Sequence, residues 1–382
     1  MTAYLLGAKR TPIGSFQGAL SGVSATDLGA HAIQASLHHA GIEADQVDEV
    51  LMGCVVSAGL RQAPARQAMR KAGIDDSTPA TTINKVCGSG MKATMLAADQ
   101  IHLGHANYAV AGGMESMTNA PFIVQGARKG LRMGHGELSD TMFCDGLEDA
   151  ETGKSMGSFA QETADQHQLG REAMDEYAIS SVKRALSAMD SGDLKAEIEP
   201  LNDVFEDEQP RRSKIDRIPS LRPAFAKNGT ITAANASSIS DGASALVVAS
   251  EQGVRDASGE PLARIVAHAT NAIHPSKFTL APVGAIQQVL DHAGWHQDDV
   301  DLFEINEAFA MVTMLAISEL GLDRDKVNIY GGACAQGHPI GSTGSRLLVT
   351  LAHALHATNQ RKGVAALCIG GGEATAIAIE RV

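Results

Sequence analysis

Gly41–Gly53 reads GIEADQVDEVLMG, and Gly294–Asn306 reads GWHQDDVDLFEIN. Both run glycine, five residues, Val-Asp and then an apolar strand-like segment, at an offset of 253 residues. At the same offset CGSG from Cys87 falls opposite IGST from Ile340. Downstream of each, a strand pattern ends in glycines: YAVAGGMES from Tyr108 and VAALCIGGGEAT from Val364. Helix-period runs lie between, over 91–103 and 345–356. Three matches in one order predict a duplicated α/β unit whose halves share a fold.

The stretch from about Asn119 to Ser238 breaks this symmetry. It is rich in charge, glycine and proline (GARKGLRMGHGELSD; EDEQPRRSKIDRIPSLRPAFAKNG), with one amphipathic helix near Arg171–Met189. It reads as an insertion carrying loops rather than core, and long loops of this kind are often functional. ISDGASALVVAS then returns to buried structure.

The whole chain is 382 residues, 44% hydrophobic and 20% charged, with a net charge of −13. That balance argues against nucleic-acid binding, which needs a basic surface. An anionic ligand would need a local basic patch. No apolar run is long enough to span a membrane, and MTAYLLGAKRTPIG is too short in its apolar part for a secretory leader. The five cysteines are scattered without a C-x-x-C pair, which suits free thiols in the cytoplasm.

In INKVCGSGM (Ile83–Met91) the spacing fits neither a P-loop nor a dinucleotide fingerprint. What remains is strand, cysteine, Gly-Ser-Gly, helix. A thiol at a helix N-terminus is expected to lean toward thiolate. The glycines leave room for a carbonyl to approach backbone N–H groups. A lone cysteine is more often a packing residue, so the reading turns on whether partners exist. His338, in the glycine-dense turn GGACAQGHPIGSTGSR, is a candidate base. Cys368 ends an apolar strand before three glycines, and Asn306-Glu307 stand at another strand end. Asn306 would hold a water or orient an imidazole, or else cap a helix. His353 and His356 form no H-E-x-x-H pattern, so no metal site is expected.

Together these residues resemble the thiolase family. The similarity runs nearly end to end through RTPIGSFQG, NKVCGSGMKA, AGGMESM, LRPAFAKNGTITAANAS, NEAFA, GHPIGSTGSR and CIGGGEA. It implies two βαβαβαββ halves stacked as a five-layered αβαβα sandwich with an inserted loop domain. The corresponding boundaries are 1–118 plus 239–262 for the N-terminal core, 119–238 for the insertion and 263–382 for the C-terminal core. A homotetramer, built as a dimer of dimers, is also implied, with coenzyme A and acetyl-CoA as substrates and no permanently bound cofactor.

By the same resemblance Cys87 is the acylated nucleophile, His338 takes its proton, and Cys368 is the second acid–base. Asn306 holds a water, the N–H groups of Cys87 and Gly370 bind an oxyanion, and Glu307 supports them from behind. Arg211, in the cluster with Arg212, Lys214 and Arg217, is the candidate contact to the phosphates of coenzyme A. Ser237, Phe278 and Met156 are the candidate pantetheine contacts. The chain departs from the pattern at Ser155, where histidine is common, and at Phe278 and Glu373, where methionine is common; Ser238 replaces a glycine. The implied reaction is condensation of two acetyl-CoA, or thiolysis of a short 3-oxoacyl-CoA. Three alternatives are weighed: a thiolase of broader chain length in β-oxidation, a decarboxylating 3-ketoacyl synthase, and a silent acyl-CoA-binding protein. The synthase would need a second histidine or an asparagine where Cys368 stands. Retention of both cysteines and His338 argues against the silent protein.

Overall fold

A computed structural model describes residues 1–382. In the first half β1 (Ala3–Arg10) and β2 (Gly14–Ser15) lead to α1 (Ala25–Ala40), β3 (Glu49–Gly53), α2 (Pro64–Lys71), β4 (Ala80–Ile83), α3 (Ser89–His102) and β5 (Tyr108–Ser116). The middle region holds the short strands β6 (Phe122–Ile123) and β7 (Ser139–Asp140) and the helices α4 (Met156–Gln166), α5 (Arg171–Ser191) and α6 (Glu208–Arg212). The chain then returns through β8 (Ser240–Ala249) and α7 (Glu251–Asp256). The second half runs β9 (Ala263–Ala272), α8 (Ala281–Ala293), β10 (Leu302–Ile305), α9 (Ala310–Leu320), α10 (Ala333–Gln336), α11 (Ile340–Ala357), β11 (Lys362–Ile369) and β12 (Glu373–Arg381).

The strands lie in the order β10-β11-β12-β9-β1-β8-β5-β3-β4. Read outward from the centre, each half repeats one plan. β3 pairs in parallel with both β4 and β5, and β5 runs antiparallel to β8. In the second half β10 is parallel to β11, which is antiparallel to β12. Even the counterpart of β4 survives, as a parallel bridge from Phe303 to Val327. The halves join where β1 and β9 pair antiparallel through Ala3, Tyr4 and Leu5.

Side-chain alternation along the strands builds the layers. In β5, Tyr108, Val110 and Met114 face α1 and α2, whereas Ala109 and Ala111 face α3 and α11. In β11, Val364 and Ala366 face α8 and α9, whereas Ala365 and Leu367 face the same central helices. The result is helices, sheet, the central α3–α11 pair, sheet, helices. Strands buried on both faces read as continuous apolar runs, which is why YAVAGG and VAALCI carry almost no charge. Close approach at the centre demands glycine. A Cβ on Gly113 would stand 1.9 Å from the carbonyl oxygen of Gly341, and one on Gly344 would stand 2.4 Å from the amide nitrogen of Met91.

The middle region differs from a set of loops. Phe159 and Ala160 of α4 and Met174 and Tyr177 of α5 share a buried cluster with Phe278, Phe309 and Cys368. The insertion therefore supplies core and walls the second half. Its alternating polar and apolar stretches hid this, because the partners lie more than a hundred residues away.

Candidate active site

Between β4 and α3 the chain makes a tight elbow. Val86 has φ of +45°, a left-handed conformation that a β-branched residue rarely adopts. Three hydrogen bonds hold it. The Val86 N–H donates to Asn84 Oδ1 (3.0 Å), the Lys85 N–H donates to Ser89 Oγ (2.8 Å), and Ser89 Oγ donates to the Val86 carbonyl (2.7 Å). Cys87 is thereby presented, partly exposed, just ahead of the first turn of α3. Burial pushes its thiol up to about 11, against the pull of the Gly370 N–H and its own N–H. The thiolate expected at a helix N-terminus is thus overridden by desolvation. Cys87 is therefore held as a thiol.

His338 sits in the turn between α10 and α11. Gly337, at φ of +105°, lets that turn press against Ser240, whose Oγ lies 2.1 Å from where a Cβ would be. The Thr343 hydroxyl donates to the Pro339 carbonyl (3.0 Å) and lies 2.6 Å from His338 Nδ1. This chain assigns the proton to Nδ1 and leaves the lone pair on Nε2. Asn306 Nδ2 lies 3.4 Å from that Nε2. Burial, reinforced by the charge of Arg346, pushes His338 down to about 3, so the imidazole is neutral. Cys368 is buried at the end of β11, and its thiol is raised well above its ordinary value by burial and then by the neighbouring Cys87.

Cys87, His338 and Cys368 line one cavity of about 470 Å³. Gly370, Met156, Ser237 and Phe278 line it too, as does Ser155, the departure from histidine. Asn306 lies behind His338, fully buried, and its carbonyl oxygen has no partner. Glu307 is fully buried as well. Its carboxylate accepts from Tyr177 (3.0 Å), Ser181 (2.6 Å), Asn328 (2.9 Å) and the Cys334 N–H (3.1 Å), tying α5 of the insertion to the Asn306 loop.

Arg211 lies outside this cavity. It faces the other side of α6, paired with Asp190 (2.8 Å) and Glu206 (3.1 Å). Its neighbours Arg212, Lys214 and Arg217 line a recess of about 290 Å³, which shares Gln209, Ala233 and Ser238 with the cavity. Within RRSKIDR the sequence could not tell which cations face this recess and which face away from it.

Several contributors were not singled out from sequence. Thr343 orients His338, and its position in the first turn of α11 was the available signal. Glu115, in AGGMES, accepts from the N–H groups of Val55 and Val56 (3.1 Å each) and Gly341 (2.8 Å). It therefore bolts the start of α11 to the first half, and burial pushes it up to about 7. Phe225 and Phe309 stand edge to face at 6.0 Å, and Phe278 meets Phe309 at 6.4 Å, forming an aromatic wall.

Comparison with known proteins adds to this geometry. The family model for the thiolase N-terminal domain matches residues 3–252, and that for the C-terminal domain matches 259–381. An acetyl-CoA acetyltransferase of Schizosaccharomyces pombe is 46% identical, covering 99% of this chain and 98% of its own. One from Escherichia coli is 46% identical over the same shares. Among solved structures, the Acat5 thiolase of Ascaris suum in complex with coenzyme A superposes with a TM-score of 0.96 at 41% identity, covering both chains completely. An acetyl-CoA acetyltransferase of Bacillus anthracis gives 0.97 at 39% identity, covering 100% of this chain and 99% of that one.

Proposed function

The chain belongs to the thiolase family, and from that premise we propose that it condenses two acetyl-CoA to acetoacetyl-CoA and coenzyme A, reversibly, through an acyl-Cys87 intermediate. The observation that carries this reading is the convergence of Cys87, His338 and Cys368 on one cavity from opposite halves of the chain.

Cys87 Sγ attacks the thioester carbonyl while His338 Nε2 takes its proton. With the thiol near 11 and the imidazole near 3, a thiolate–imidazolium pair is not the resting state. Cys87 therefore gains its nucleophilic form only as His338 accepts the proton. The developing oxyanion lies between the N–H groups of Cys87 and Gly370, donors worth roughly 3–4 kcal/mol each. Cys368, protonated at rest, gives its proton to the departing CoA thiolate and becomes the thiolate that the next step needs. That thiolate removes the α-proton of a second acetyl-CoA, and the carbanion attacks the acyl group on Cys87; the acyl C–S bond then breaks, and the departing Cys87 thiolate takes back the proton held on His338. His338 Nε2 and a water held on Asn306 bind the second oxyanion; the partnerless buried carbonyl of Asn306 supports such a water. In thiolysis the thiol of coenzyme A enters instead.

Coenzyme A is substrate, not a resident cofactor. Its pantetheine arm runs along Met156, Ser237 and the aromatic wall, and its phosphates meet Arg212, Lys214 and Arg217. The segment 119–238 serves both this binding and assembly. Exposed Phe122, Leu131, Met133 and Leu138 on and between β6 and β7 support a homotetramer. No helix is long and apolar enough to cross a membrane, and we place the reaction in the cytoplasm.

Intact mass after incubation with acetyl-CoA tests the reading. A single acetyl adduct is expected and should vanish in Cys87→Ser; its absence from the unaltered protein under every condition overturns the nucleophile. Cys368→Ala should still acetylate, yet condense roughly 10²–10⁴-fold more slowly. Normal turnover in that variant would remove Cys368 from the mechanism.

A further inference from the structure

The elbow that presents Cys87 is held locally by Asn84 and Ser89, both from the first half of the chain. The turn that carries Cys368 and Gly370 belongs to the second half. Their relative placement is not secured by those local bonds. Gly88 packs against Ile369, with Ile369 Cδ1 2.3 Å from where a Cβ would be, so the two loops touch. One hydrogen bond between two side chains crosses between them. Lys85, two residues before Cys87, donates from Nζ to the carboxylate of Glu373, and the side chains are 21% and 34% exposed.

Both anchor points are well fixed. Glu373 opens β12, opposite Ile369 across the glycine turn and opposite Ala272 of β9. Gly371 and Gly372 close that turn at φ of +92° and +89°. Lys85 directly precedes Val86, the residue in the strained left-handed conformation, which persists only where its surroundings over-determine it. A contact at Lys85 therefore acts on the backbone that aims Cys87.

We propose that Lys85 and Glu373 are positioning residues whose ion pair clasps the Cys87 elbow to the glycine turn after Cys368. The clasp fixes the N–H of Gly370 and the thiol of Cys368 relative to Cys87. It does not touch substrate. The inference rests on Cys87 carrying the acyl group, as proposed above.

Steady-state kinetics in both directions, with intact mass after acetyl-CoA, test it in Lys85→Met, Glu373→Gln, Lys85→Arg and the exchanged double variant Lys85→Glu/Glu373→Lys. Each of the first two should lower kcat about tenfold with KM for acetyl-CoA changed less than about twofold, because small misplacements cost rate rather than binding. Thermal midpoints should stay near that of the unaltered protein. Lys85→Arg should retain at least about half the rate, and the exchanged pair should recover to within about threefold. Unchanged kcat in both single variants overturns the clasp. So does a raised KM at intact kcat in Lys85→Met, which would make Lys85 a contact to substrate charge, or an exchanged pair no faster than the singles. An unaltered protein that never acetylates on Cys87 sinks the underlying acyl-enzyme reading instead. Acetylation with kinetically silent variants sinks the clasp alone.

Discussion

At Cys87 two influences oppose one another. The N–H groups of Gly370 and of Cys87 itself favour the thiolate, and desolvation favours the thiol and wins. Alkylation by iodoacetamide should therefore rise about tenfold per pH unit between pH 7 and 10, because the thiolate fraction grows that way below the pKa. A plateau below pH 8 would contradict the account of a thiol raised by desolvation. His338 depends in turn on Thr343, whose hydroxyl lies 2.6 Å from Nδ1. Thr343→Val leaves a buried N–H without an acceptor, a penalty of about 1–3 kcal/mol. That variant should show reduced kcat, with Thr343→Ser close to the unaltered protein in parallel assays.

The helices α3 and α11 deliver Cys87 and His338 to each other, and they do so by backbone contact. Gly113→Ala would drive a methyl into the Gly341 carbonyl, which neither helix nor strand can yield. We expect a loss of about 3 kcal/mol or more in urea unfolding. Gly170→Ala, where nothing lies within 4 Å, should change stability by less than about 0.5 kcal/mol. This central pairing was legible in the sequence because CGSG and IGST recur at one offset, so duplication alone put Cys87 and His338 at matching junctions. Cys368 was legible for the same reason, at the glycine end of a recurring strand. The clasp of Lys85 with Glu373 was not, since no periodicity links charges 288 residues apart. Nor was the burial of α4, whose partners Phe278 and Phe309 lie in the other half of the chain. Arg211 illustrates a third limit: residue type identifies a cation, but only the rotation of a short helix says where it points.

The molecule as a whole is sutured by histidine as well as by strand pairing. His39 of α1 and His353 of α11 stack at 5.5 Å and grip one residue of β1 between them. The Ala8 N–H donates to His39 Nδ1 (3.1 Å), and His353 Nε2 lies 3.0 Å from the Ala8 carbonyl. Burial and then His353 push His39 down to about 4, and burial lowers His353 as well. The unfolded chain binds these protons near pH 6.5, the folded one near 4 for His39. Their contribution is therefore full above about pH 6.5 and lost as pH falls toward 4. Urea midpoints should drop across that window, and His39→Asn, which keeps an acceptor for Ala8, should flatten the slope. The β1 strand they hold pairs with β8 and β9, at residues 240–249 and 263–272. A ribosome adding 5–20 residues per second reaches β8 roughly 12–50 s after making β1. Throughout that interval AYLLGAKR has neither of its final strand neighbours to pair with, an apolar edge open to wrong partners until residues 240–249 are made.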